Sequence, residues 1–218
     1  MRFRFTRVHS SRHRTFSYWI VQLSALVRIP HEFEMEVARL FAQMDAAYDS
    51  AAQKAGFVCR GCKDNCCLTR FYHHTLMELL YLQSGLSALS SPQRQRIRDR
   101  ADAAARQMET LERQGLPVRV MCPLNEQGRC TLYAHRPMIC RLHGIPNAMR
   151  RPDGRILNGP GCDDYYRQCG PEGGDPLNRT PLYSAMADLE RRLRDRLGFN
   201  GKIKLTVARM ILKDSETL

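Results

Sequence analysis

Four thiols fall within nine residues, in the run Cys59-Arg60-Gly61-Cys62-Lys63-Asp64-Asn65-Cys66-Cys67. The other five cysteines, Cys122, Cys130, Cys140, Cys162 and Cys169, come later in one glycine-rich stretch, with no cysteine between the two blocks. Thiolates are soft donors that suit zinc and iron–sulfur centres. Cys59-x-x-Cys62 has the spacing of a zinc-knuckle ligand pair, and Gly61 tolerates the positive φ that such a turn often demands. Disulfides explain the pattern poorly. Nine cysteines cannot all pair within one chain, and adjacent Cys66 and Cys67, with α-carbons about 3.8 Å apart, could join only in a strained ring. A chain of 218 residues can also build a core without such staples. Packing of thiols as small hydrophobes suits an isolated residue such as Cys169 better than it suits the nine-residue block.

The block ends neither in a second C-x-x-C or H-x-x-x-H half nor in the bacterial ferredoxin run. Neighbouring side chains diverge by about 100° on a helix and about 180° on a strand. Cys66 and Cys67 are therefore expected to serve different metals or to bridge a polynuclear centre. The residues point to a metal site and leave zinc and iron both open as the cofactor, the iron either as ions or as an iron–sulfur cluster.

Downstream stand Cys122-Pro123-Leu124 and Gly128-Arg129-Cys130-Thr131-Leu132-Tyr133-Ala134-His135-Arg136-Pro137-Met138-Ile139-Cys140-Arg141. With the first block they resemble the YkgJ-type CxxCxxCC cysteine-cluster family, whose members are described as zinc- or iron-chelating. The second half, C-P-L followed by G-x-C-x-L-Y-x-x-R-P-x-x-C-R, is the more specific part, and the resemblance runs from about Phe57 to Cys162. One departure is visible: three residues, Lys63, Asp64 and Asn65, separate the second and third cysteines where the family name implies two. A flagellin lysine methylase carries a related cluster, so the resemblance also admits an enzyme.

The expected metal ligands are Cys59, Cys62, Cys66, Cys67, Cys122, Cys130, Cys140 and Cys162, with Cys169 as the spare. On this reading Cys62→Ser should cost metal and fold together, and Cys169→Ser should do little. Arg136 and Arg141 flank Cys140, where guanidinium groups would offset the thiolates' negative charge and donate hydrogen bonds to sulfur. Pro137 restricts Arg136 and presents Cys140 in a set direction, while Tyr133 reads as packing. His73 and His74, close to the first block, are candidate further ligands, although an exposed histidine near a helix start is the commoner case.

The elements that must position these residues are mostly helical. From His31 to about Gly56, Phe33, Val37, Leu40, Phe41, Met44, Tyr48, Ala51 and Ala55 recur at three and four residues, and Gly56 is the stop. Thr69 is a candidate cap for a second helix over about 70–83, ending before Gly85. Ser91 as N-cap and Pro92 at the first position open a third, to about Gln114. Its buried stripe is Ile97, Ala101, Ala104, Ala105, Met108 and Leu111, and its mixed-sign outer face reads as solvated rather than nucleic-acid-binding. Nine of the 14 glycines lie between Gly115 and Gly174, so this region is loop with short strands, and Pro152-Asp153-Gly154 is a tight turn. Irregular chain of that length needs something else to fix it, and metal ligation would do so. A last long helix runs from Thr180-Pro181 to Leu197, stopped by Gly198, and the tail from Lys202 to Leu212 is a strand or a final helix.

The expected fold is thus mainly α: a small helical domain with an irregular, loop-rich, cysteine-ligated metal centre and short strands. Composition agrees, with 43% apolar and 26% charged residues. Of the net charge of +12, half comes from six arginines in an acid-free stretch at 1–30. That stretch reads as a basic extension, targeting or disordered, ahead of a single domain at 31–218. Its apolar run from Phe16 to Val27 is too short to span a membrane and lacks a signal-peptidase site. A cytoplasmic location follows, with organelle targeting through 1–30 as the alternative.

No dinucleotide fingerprint, Walker loop, H-E-x-x-H or G-x-S-x-G elbow is present, so a self-contained nucleotide domain is not expected. The leading function is a metal-binding protein with a structural, storage or redox role. The alternatives are an iron–sulfur enzyme modifying a macromolecule and a zinc-stabilised module binding nucleic acid through its basic N-terminus. A metal ion is the one partner the sequence names.

Overall fold

The computed structural model describes residues 28–60, 66–171 and 174–213. The basic extension up to residue 27, and Cys62 with its neighbours at 61–65, lie outside the described residues. Seven α-helices are present among those described: α1 (His31–Ala55), α2 (Leu76–Ser87), α3 (Ser91–Arg113), α4 (Met138–Leu142), α5 (Asp163–Cys169), α6 (Thr180–Leu197) and α7 (Val207–Leu212). The mainly α expectation holds, with only short strands added.

α1 follows its apolar repeat. Phe33, Val37, Leu40, Phe41 and Met44 are buried, and Glu32 and Glu34 occupy the positive end of its dipole. Gly56, at φ +69°, adopts the left-handed cap, and its N–H with that of Phe57 closes the last turn. α2 is apolar nearly all round: Leu76, Met77, Leu79, Leu80, Leu82 and Leu86 are all buried, the signature of a central helix. It packs on α6 and α7, α1 packs on α6 and α4, and α3 packs on α7.

The second helix begins later than its sequence suggested. Thr69 does not cap it; it forms an isolated antiparallel bridge with Arg119. Thr75 is the cap, its hydroxyl accepting from the Glu78 N–H at 3.1 Å. Thr75-x-x-Glu78 is the pattern of a capping box, which Thr69 lacks. Glu190 of α6 then accepts the Leu76 and Met77 N–H groups, each at 2.8 Å. His73 and His74 therefore sit on an extended segment rather than a first helical turn. Nor does Gly85 stop α2, which continues to Ser87. A β-carbon there would lie 2.5 Å from the His135 ring, so glycine serves close packing instead of termination. In α3 the cap is Ser90, one residue earlier than expected, bonded reciprocally with Gln93.

The loop-rich region is more ordered than its glycines suggested. β1 (Asn125–Glu126) and β2 (Arg129–Cys130) form a hairpin with positive φ at both Gln127 and Gly128, as a two-residue primed turn requires. β3 (Asn147–Arg150) pairs antiparallel with β4 (Ile156–Gly159) across the Pro152-Asp153-Gly154 turn, and parallel with β5 (Leu177–Asn178). The tail resolves as both alternatives: a bridge at Leu205, then α7, capped by the Thr206 hydroxyl. The main core gathers side chains from α1, α2, α3, α6 and α7, together with Met138 and Leu142 of α4 and Val120, Leu124 and Leu132 from the loops. A small second cluster holds Ala52, Phe57, Ile145 and Tyr165.

Candidate metal centre

The chain around the first cysteine block leaves α1 through Phe57, whose ring packs on Tyr165 of α5 at 5.2 Å. Gln168 of α5 clamps the next residue twice, accepting from Val58 N–H and donating to its carbonyl, both at 3.1 Å. Cys59, exposed, is thereby fixed beside the helix that Cys162 begins. Cys162 is the N-cap of α5, its sulfur accepting from Tyr165 N–H at 3.4 Å. Its own N–H donates to Gly144 O at 3.0 Å. Gly144, at φ +108°, leaves room there: a β-carbon would meet the Tyr48 hydroxyl at 3.5 Å and the Cys162 sulfur at 3.8 Å.

Cys66 and Cys67 open a short 3-10 turn at Cys66–Leu68. Directly beyond it the chain pairs with 119–122: Thr69 bridges Arg119, and Cys122 N–H donates to Cys67 O at 2.8 Å. Cys122 thus lies beside Cys67. The β1–β2 hairpin carries Cys130 back opposite Asn125, and α4 supplies Cys140.

The electrostatics place Cys67, Cys122, Cys130 and Cys140 together and Cys59 with Cys162 near Tyr48, while Cys66 touches both groups. Burial first, and then Cys122, Cys130 and Cys67, raise the Cys140 thiol. Burial likewise lifts Cys122 to about 12, with Cys67 and Cys130 adding to it. Cys130 is also raised by burial and by Cys67, while Arg136 and Arg141 pull it down. The Tyr48 hydroxyl instead is raised by burial and then by Cys59, Cys162 and Cys66. Cys66 donates to Cys67, which lowers Cys67 to about 6 and raises Cys66. Packing divides the same way. Cys122 and Cys130 border the main core, whereas Cys162 and Cys169 border the small cluster with Tyr48.

As they stand, no three histidine, cysteine or acidic side chains among the described residues converge closely enough to hold one ion. The donor set nevertheless fits a soft metal, because seven of the eight candidate thiols are described, none is in a disulfide, and they gather in two neighbourhoods. Residues 58–153 match the family model CxxCxxCC, described as a "putative zinc- or iron-chelating domain". This stretch is similar to the CxxCxxCC domain. Nothing among the curated proteins or the solved structures matches the chain. The CxxCxxCC match contains Cys59, Cys62, Cys66, Cys67, Cys122, Cys130 and Cys140 and ends before Cys162. No helix among the described residues is long and apolar enough to cross a membrane.

Arg136 and Arg141 converge on one carboxylate that the sequence did not single out. Asp45 of α1 accepts from Arg136 Nη2 at 2.9 Å and from Arg141 Nη1 at 2.5 Å. Arg141 also donates to Arg136 O and Ala134 O and lies over the Phe41 ring, while Arg136 stacks 3.8 Å above Tyr133. This clamp ties the Cys130–Cys140 segment of the CxxCxxCC domain to α1. Asp45 was detectable as an acid four residues after Phe41, on the edge of the buried stripe.

His73 and His74 engage protein groups. His73 is buried, its Nδ1 3.6 Å from Glu78 Oε1, and His74 Nδ1 lies 3.2 Å from Ile203 O.

Proposed function

We propose that the chain is a metal-binding protein with two four-thiolate centres. Cys67, Cys122, Cys130 and Cys140 would form one, and Cys59, Cys62, Cys66 and Cys162 the other. The observation that carries this reading is that only Cys67 of the adjacent pair is joined to the Cys122 segment, while Cys66, which also donates to Cys67 and lies near Cys140, reaches Cys59 and with Cys162 acts on the Tyr48 hydroxyl. Arg136 and Arg141, both near Cys130, offset part of the negative charge that four thiolates place on a divalent ion.

Zinc in such closed sites would be structural, whereas iron with sulfide would add electron transfer. The protein's own contribution is to hold the thiols near one another and, through the Asp45 clamp, to fix the segment that carries two of them. The role is metal retention in a structural, storage or redox capacity within the cytoplasm.

Metal and acid-labile sulfide per chain, on protein purified without oxygen, test the reading. Wild type should carry two centres. Cys67→Ser and Cys59→Ser should each lose about half the metal, and the double variant nearly all of it, while Cys169→Ser retains it. If Cys67→Ser and Cys59→Ser empty the same single site, the two-centre assignment is wrong.

A further inference from the structure

Beside the helix that carries Cys140, a cleft of about 760 Å³ opens between the 71–75 segment, the start of α4 and the face of α6. Its walls are largely apolar, with Phe71, Tyr72, Tyr183 and Phe199 supplying rings and Met138 and Ile139 forming the α4 side. His73 and Glu78 also line it.

His73 is 2% exposed and rigidly placed. Its N–H donates to Leu205 O at 2.8 Å and its carbonyl accepts from Leu205 N–H at 3.0 Å. Glu78 is fixed as well, accepting from the Thr75 hydroxyl at 2.7 Å and from Met138 N–H at 2.9 Å. A carboxylate can only accept, so the Nδ1 that faces Glu78 at 3.6 Å is assigned a proton, and in the neutral ring Nε2 then carries the lone pair. That Nε2 has no hydrogen-bond partner. A buried polar atom left unpaired in a residue that lines an open cleft is an unexplained cost that a ligand would remove.

The charges around the cleft select against an ionic ligand, because they are already matched. Arg191 pairs with Asp188 at 3.1 Å and reaches Asp195, and Arg194 pairs with Glu190. His74 is engaged by Ile203 O. What remains is an aromatic-lined space whose lining includes the unpartnered imidazole nitrogen of His73. We infer that the cleft binds a neutral aromatic alcohol, its ring among the four aromatic side chains and its hydroxyl donating to His73 Nε2. The inference does not depend on the metal centres.

The probes are 4-methylphenol, which has the donor, and 4-methylanisole, which lacks it, titrated calorimetrically into the full chain as purified. One molecule of 4-methylphenol should bind, about tenfold more tightly than the ether. His73→Phe should erase that preference. Ala187→Trp, at an exposed wall position of the cleft, should abolish binding of both with no change in unfolding, which keeps the test decisive if the buried His73 variant fails to fold. Equal affinity for the two probes, binding of neither, or unchanged binding in Ala187→Trp would overturn the assignment.

Discussion

Asp45→Ala should loosen the whole second half of the cysteine cluster from a position that bears no thiol. Its carboxylate is the anchor on α1 for both Arg136 and Arg141. The Arg141 side chain is only 3% exposed, so removing the carboxylate leaves a buried cation short of its countercharge. Breaking a buried pair from one side costs about 3–5 kcal/mol. Arg141 keeps two carbonyl acceptors and the Phe41 face, and Asp45 is itself half-buried, which reduces the expected loss to about 2–3 kcal/mol. At the size of this chain that is a fall in Tm of roughly 4–12 °C. A cycle of Asp45→Ala, Arg141→Met and the double variant, followed by urea unfolding, isolates the pair and should return a coupling of about 1 kcal/mol or more. A loss below about 1 kcal/mol, or strict additivity, would show that the clamp is an ordinary surface contact and that the loop is held by other means.

Glu78→Ala should destabilise by about 3 kcal/mol, since it strips partners from the Thr75 hydroxyl and Met138 N–H, and Glu78→Gln should cost less. Burial pushes the Glu78 carboxyl up, but His73, Thr75 and Met138 N–H together hold it below the ordinary carboxylate value. Its stabilising share is therefore present above the unfolded value of about 4.3 and lost as pH falls, a loss visible by acid titration of wild type against Glu78→Gln. In metal-free protein the sign for the Cys122 thiol is opposite. Burial lifts Cys122 to about 12, so stability present below the unfolded thiol value of about 8.5 should decline as pH rises toward 12, while metal-loaded protein is insensitive in that range; urea midpoints at about pH 8 and pH 10 check this. Gly85→Ala should lower stability by about 1–3 kcal/mol despite alanine's better helix propensity, because its β-carbon meets the His135 ring, and thermal unfolding would reveal it.

The long helices were legible because periodicity and caps coincided. Gly56 and Gly198 end α1 and α6 with positive φ, where only glycine rests without strain. The start of α2 was missed by weighing Thr69 alone, when Thr75-x-x-Glu78 was the stronger signal. α4 and α5 hid for a different reason. They are five and seven residues long, too short for periodicity to register, and α5 rests on a thiol as its N-cap. At the site, spacing groups the thiols as candidates but does not say which lie near one another. That depends on the bridge between Thr69 and Arg119, a pairing across fifty residues that no local pattern encodes. The Asp45 clamp and the His73–Glu78 pair were hidden likewise, since each joins residues from separate elements.

The two thiol neighbourhoods rest on unequal foundations, and this predicts an order of events when metal is removed. Cys122 and Cys130 border the main core, and Leu124, Leu132, Met138 and Leu142 anchor the chain around them within it. The Asp45 clamp adds a second attachment. Cys162 instead borders a cluster with four buried members among the described residues, Ala52, Phe57, Ile145 and Tyr165, and Cys59 is held through its neighbour by one glutamine. Loop chain with few buried apolar contacts opens at low free energy, so its order should depend most on ligation. On chelation, hydrogen exchange should speed first at 57–60 and 156–171, while 119–142 changes later and the buried helix α2 keeps its protection. Such a result would separate loss of metal from loss of fold, because the helical core contains no thiol among its buried members. Simultaneous loss of protection in α2 and both loop regions would instead mean that the metal holds the entire domain together, and the helices could not be treated as a frame on which the centres are assembled.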